Sequence, residues 1–195
     1  AFNLLYHSGL RCDEAVHLKM SNFRRTLIRD GGQETWGWEL EIVGKGKKTG
    51  WIPVCSDLLD ELVLFRTSIG LPPHPGESET YPAVPSTKAM HSARAGEGTN
   101  VSGISRSTMY RMIKSLFFVG GKHLREVGKL EDARHLEKAS PHWLRHTLLK
   151  DAYDSTLDIL VVKQLGRHSN VNTSAGYAPS TETEVRAAIE KRRCR

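Results

Sequence analysis

Ser140-Pro141-His142-Trp143-Leu144-Arg145-His146-Thr147 decides how this chain is read, together with Leu165-Gly166-Arg167-His168-Ser169 and Tyr177 downstream. Ser140-Pro141 opens a helix, because proline suits a first helical turn. His142 and Arg145 lie three apart and share a face, while Leu144, Leu148 and Leu149 take the buried side. His142, Arg145, His168 and Tyr177 thus fall within 36 residues. They fit no metal-ligand, glycine-rich phosphate-loop or serine-triad pattern. A tyrosine among cationic donors suits attack on a phosphodiester whose phosphate is held by arginine forks.

The chain has 195 residues, enough for one domain or one with a small appendage. Charged residues make up 26% and hydrophobic residues 38%, as in soluble globular proteins. No apolar run approaches the roughly 20 residues of a membrane span. Nothing at the start has the basic opening and small-residue cleavage site of a signal peptide. An apolar helical pattern is already under way at Phe2, so an upstream part is expected to be missing. Cys12, Cys55 and Cys194 are scattered, which argues against a disulfide frame or a zinc site and for a reducing, cytoplasmic setting. The net charge of +6 favours a polyanionic partner, although a merely basic soluble protein has the same charge.

The pattern predicts a mixed α+β fold, mainly helical. Phe2 to Leu10 reads as a helix broken at Gly9, and Cys12 to Met20 resumes helical spacing. Arg11 sits at that junction with Glu14 three residues on, where Glu14 could orient it or form only a surface pair. Thr26–Ile28, Trp36–Val43 and Trp51–Val54 predict a small antiparallel sheet near the N-terminus. The turn Gly44-Lys45-Gly46-Lys47-Lys48-Thr49-Gly50 gives it a lysine-rich tip, suited to a DNA backbone or to keeping an edge soluble. Ser56 caps an amphipathic helix to Ile69 with Leu58, Leu59, Leu62, Val63 and Phe65 as its apolar side. Residues 71–103 are rich in proline and predict a functional or mobile loop. Ser105 or Ser107 caps a helix whose Met109, Tyr110, Met112, Ile113, Leu116 and Phe117 form a core stripe, closed by Gly120-Gly121. Lys122–Ala139 is charged and partly helical, with Leu124, Val127, Leu130 and Leu136 inward. Asp158–Leu165 is a further helix. Thr173 or Ser174 caps a short helix carrying Tyr177, and Thr181–Arg193 is the last.

Five boxes in this order resemble the catalytic domain of the tyrosine recombinases, the phage-integrase family, over nearly the whole chain. Leu4 to Glu14 resembles the first arginine box, and Val43 to Lys48 followed by Ile52-Pro53-Val54 the β-hairpin lysine segment. Ser140 to His146 resembles the His-x-x-Arg box. Leu165 to Ser169 and Tyr177 resemble the closing histidine and nucleophile. Residues 70–139 add little to the match.

The resemblance implies a catalytic set of Arg11, Lys45, His142, Arg145, His168 and Tyr177. Tyr177 would attack the scissile phosphorus, leaving a 3′-phosphotyrosine and a free 5′-hydroxyl, without metal, ATP or other cofactor. Arg11 and Arg145 would hold the non-bridging oxygens, and Lys45 would protonate the departing 5′-oxygen, with Lys47 or Lys48 as fallback. His168 would hydrogen-bond the phosphate, and His142 would assist proton movement near Tyr177. Glu14 would orient the site from behind. Lys47, Lys48 and Arg167 would contact DNA. The implied partner is double-stranded DNA, with no membrane. The full-length parent would assemble as a tetramer on it, and the piece alone can be a monomer.

The pattern also departs from the family. Gly166 stands one place earlier than the glycine that usually precedes the second histidine, and Arg167 fills that place. An arginine often found downstream of the hairpin lysine is replaced near Thr49-Gly50. The family's separate N-terminal DNA-clamping domain is not in the sequence. Type IB topoisomerase-like nicking and resealing shares the tyrosine chemistry and stays open, as does an inactive DNA-binding remnant. A metal-dependent nuclease would need a carboxylate cluster that the sequence does not show.

Overall fold

A computed structural model describes residues 1–30, 33–43, 49–87, 90, 101–156 and 158–167. Lys45, Lys47, Lys48, His168, Tyr177, the helix expected to carry Tyr177 and the helix expected at Thr181–Arg193 lie outside the described residues.

The fold is mixed α+β and mainly helical, with one three-stranded antiparallel sheet near the N-terminus. Helix α1 (Phe2–Ser8) buries Leu4 and Leu5 and ends at Gly9, whose φ of 60° is left-handed. A side chain at Gly9 would also bring a Cβ within 2.9 Å of Leu148 Cδ2, so both backbone and space require glycine. Helix α2 (Cys12–Val16) is shorter than the spacing predicts. The next residues leave the helix to pair with the segment 79–83. The Ala83 N–H donates to the Leu18 carbonyl at 2.9 Å and the Met20 N–H to the Tyr81 carbonyl at 2.7 Å. Leu18 and Met20 are buried by this pairing.

Strands β1 (Phe23–Asp30), β2 (Gln33–Val43) and β3 (Thr49–Val54) form the sheet in that order. Phe23 faces Leu40, which faces Ile52, and all three are buried. β1 and the start of β2 run beyond the predicted strands because cross-strand pairs carry the ribbon past the core. The Arg25 guanidinium lies 4.7 Å from the Trp36 ring centre, and Arg29 meets Glu34 at 2.8 Å.

Helix α3 (Ser56–Ser68) takes Cys55 as its N-cap, so Ser56 is its first helical residue and not its cap. Leu58, Leu62 and Arg66 form its buried row. The arginine organises the proline-rich segment beyond the helix. Its Nη1 and Nη2 donate to the two Glu79 oxygens at 2.8 and 2.9 Å, its Nε to the Pro72 carbonyl at 2.7 Å and its Nη2 to the His74 carbonyl at 3.1 Å. The described part of 71–103 is tied to the body by Arg66 and by the pairing with Leu18 and Met20, and a bridge between Pro85 and Gly103 closes the segment on itself.

Ser105 caps α4 (Arg106–Glu126) by accepting the Thr108 N–H at 3.1 Å. The helix does not stop at Gly120-Gly121. These glycines let α5 (Leu130–Lys138) pack against it: a Cβ at Gly121 would lie 2.6 Å from Glu137 Cγ, and one at Gly120 2.9 Å from Leu136 Cδ2. Only Met109, Ile113 and Phe117 of the expected stripe are buried; Tyr110, Met112 and Leu116 are exposed, as are Val127 and Leu130. A 21-residue helix buries one narrow face here, and the apolar residues around it were too many for that face. Helix α6 (Pro141–Thr156) and α7 (Ile159–Gly166, capped by Asp158) complete the described chain. None of the described helices is long and apolar enough to cross a membrane.

Replacing Arg66 with Met would leave the Glu79 carboxylate and two carbonyls without their shared partner. We expect a loss of about 3–5 kcal/mol in urea unfolding, with new protease cleavage between Pro72 and Glu79. A loss below about 1 kcal/mol would show that the segment is held by its apolar contacts alone.

Candidate active site

Arg145 is almost fully buried, and that burial explains how the site is put together. Its Nη1 donates to the Gly9 carbonyl at 2.6 Å and its Nη2 to the Gly166 carbonyl. These carbonyls close the C-terminal ends of α1 and α7, where backbone oxygens lack helical partners and the helix dipole is negative. One guanidinium therefore joins two helix ends that are far apart in sequence. Arg11 lies two residues beyond the first end, and His168 two beyond the second.

Arg11 is the N-cap residue of α2, in extended conformation. Its backbone N–H donates to Glu14 Oε2 at 2.8 Å, and its Nη1 to Glu14 Oε1 at 3.2 Å. Its side chain is half exposed, whereas that of Glu14 is 10% exposed. The arginine therefore reaches outward from a carboxylate fixed behind it.

His142 and His146 lie one turn apart on α6, ring edge to ring face, with centres 4.5 Å apart. Partial burial pushes the His142 imidazole below its ordinary value of 6.5, and the nearby charges of His146, Arg145 and Arg11 push it the same way. Arg145 and Arg11, the latter from a different box, are thus close enough for their charges to act on His142. A neutral His142 can accept a proton at neutral pH.

Arg167 was expected at the DNA surface. The structure turns it inward: its Nη2 donates to Glu14 Oε2 at 2.6 Å, and its side chain is only 14% exposed. It follows α7 in left-handed conformation, with φ of 50°. Nothing in the sequence signals a pairing between positions 14 and 167. No cluster of three or more His, Cys, Asp or Glu able to hold a metal occurs among the described residues.

The two arginines should respond differently to truncation. Arg145→Ala leaves two buried carbonyls unpaired and is expected to cost about 3–5 kcal/mol in thermal or urea unfolding. Arg11→Ala removes a half-exposed pair and should cost below about 1 kcal/mol. Equal losses would contradict the staple assigned to Arg145. For His142 the sign follows from its lowered folded-state value. Below about 6.5 the unfolded chain takes up the proton more readily, so the native state loses stability as pH falls from there and recovers it above. His142→Gln should therefore gain Tm relative to the parent between about pH 7.5 and pH 5, and a pH-independent difference would contradict this.

No family model matches the chain. In sequence it is 28% identical over 174 residues to the tyrosine recombinase XerD of Vibrio vulnificus strain YJ016, covering 89% of this chain and 46% of that protein. In fold it is similar to the crystal structure of XerA recombinase, with a TM-score of 0.58 at 20% identity, covering 99% of this chain and 57% of the other. It is equally similar to the XerH site-specific recombinase bound to its difH substrate in a pre-cleavage complex, with a TM-score of 0.58 at 20% identity over 96% of this chain and 44% of that one. The chain spans about half the length of the curated relatives it matches. Along about nine-tenths of its length in sequence, and throughout its described fold, this chain is similar to the tyrosine recombinases.

Proposed function

We propose that this chain is the strand-cutting and rejoining part of a site-specific DNA recombinase. The observation that carries the reading is the junction of α1, α6 and α7 at Arg145, which gathers Arg11, Glu14 and His142 beside the end of α7. His168 and Tyr177 come directly after that segment in sequence.

In this reading the Tyr177 oxygen attacks the scissile phosphorus of duplex DNA. Its proton passes toward His142, whose lowered basicity keeps it neutral beforehand. Negative charge grows on the non-bridging oxygens, where the Arg11 guanidinium and His168 stabilise it directly and the buried Arg145 guanidinium, bonded to the Gly9 and Gly166 carbonyls, adds its positive charge from behind. The phosphorus–5′-oxygen bond breaks as the phosphorus–Tyr177 bond forms, and Lys45, with Lys47 or Lys48 as substitute, protonates the leaving oxygen. Attack by a second 5′-hydroxyl reverses these steps and rejoins the strand. The phosphotyrosine conserves the bond, so the exchange needs neither metal nor ATP. The parent protein would carry this out as a tetramer on paired DNA duplexes.

Incubation with a pool of labelled, nicked duplexes in EDTA is expected to give a denaturant-resistant protein–DNA band. Tyr177→Phe should abolish that band with DNA binding nearly intact, and Arg11→Ala should slow its formation by about 10²-fold, as for loss of an oxyanion donor. A band that persists in Tyr177→Phe, or a need for Mg²⁺, would overturn the mechanism.

A further inference from the structure

Arg167 is the only residue other than glycine with positive φ among the described residues. Such a backbone costs on the order of 1 kcal/mol and persists only where the surroundings hold it. The side chain supplies that hold. It crosses from the end of α7, past the start of β3, to the N-terminus of α2. A Cβ at Gly50 would lie 3.2 Å from Arg167 Cδ, so a glycine in β3 leaves room for its stem. Its Nη2 ends on Glu14 Oε2 at 2.6 Å, while its Nη1 is buried and has no hydrogen-bond partner among the described residues. Its one side-chain hydrogen bond among the described residues is thus the one to Glu14.

Glu14 therefore serves two cations. Its Oε1 takes one Arg11 Nη1 at 3.2 Å, and its Oε2 is shared between the Arg11 backbone N–H and Arg167. A nearly buried carboxylate with no second cation would take a guanidinium in the stronger two-pronged geometry. Arg11 is the one at hand, and that geometry would draw it back from the open side of the site.

We infer that Arg167 is a positioning residue that occupies half of the Glu14 carboxylate and so leaves the Arg11 guanidinium facing outward, toward the scissile phosphate. The last clause rests on the recombinase reading; the sharing of Glu14 does not.

Two measurements separate these layers. The first needs no DNA: the ¹⁵N relaxation of the Arg11 Nε–H in the parent chain, in Arg167→Met, which keeps the stem, and in Arg167→Gln as a second variant should either fail to fold. Arg11 is expected to become more rigid in the variants as Glu14 captures it. Unchanged relaxation would overturn the inference whatever the chain does to DNA. The second is the rate of covalent attachment to nicked duplex. Arg167→Met is expected to slow it by about 10- to 100-fold, the effect of displacing a catalytic group by about an ångström, with DNA affinity unchanged. Adding Glu14→Gln to Arg167→Met should recover part of that loss, because an amide no longer holds Arg11. A parent-like rate in the single variant, or a double variant no faster than the single, would overturn the positioning role. An Arg167 that only braces the fold, or that touches phosphate directly, predicts no recovery. Absence of a Tyr177-dependent adduct in the parent chain would overturn the recombinase reading alone, and the relaxation measurement would still decide the sharing of Glu14.

Discussion

A buried guanidinium between two helix ends is the interaction on which the rest depends. Each hydrogen bond from a charged donor contributes about 1.5–3 kcal/mol, and helix C-termini are where backbone carbonyls most need donors. Removing a charge from water costs several kcal/mol, so the arrangement is favourable only because both carbonyls are supplied and the dipoles are aligned. Hydrophobic packing alone would tolerate small rotations of α1 against α7. Arg145 does not, since its planar fork reaches Gly9 and Gly166 together in only one arrangement. The left-handed turn at Gly9 belongs to the same device, because it ends α1 and frees its last carbonyls for the arginine.

Much of this was legible in the sequence because it is local. Gly9 as a helix stop, a serine cap at Ser105 or Ser107, the three strands and the helix opened by Pro141 all follow from residues near each other in sequence. The Arg11–Glu14 pair follows from a three-residue spacing. The features that could not be read depend on a neighbour distant in sequence. Gly120-Gly121 looked like a helix end and is a place where two helices touch. Arg66 falls within the helix read as amphipathic and is the buried partner of Glu79, thirteen residues on. Arg167 is paired with Glu14 across 153 positions. In each case the residue type was visible and its partner was not.

Arginine recurs as the agent of long-range order. Arg66 gathers a proline-rich segment that cannot form its own ladder, Arg145 joins helix ends, and Arg125 binds both oxygens of Glu137 to fix α5 against α4. Lys114 adds a further case by capping the end of α5 through the Glu137 and Ala139 carbonyls, at 2.7 and 2.8 Å. A basic composition that would suit a polyanion is thus partly spent inside the protein.

The Arg145–Gly9 bond spans 136 positions. Closing so long a loop costs chain entropy that only accumulated contacts can offset, so such a bond forms late in folding. The sheet, α3 and the α4–α5 pair rest on shorter separations and can form before it. The candidate site is thereby made from the two ends of the described chain and exists only once they meet. Partial unfolding that parts α1 from α7 would dismantle the site while the body persists, so the temperature at which the site is lost can lie below that at which the core melts.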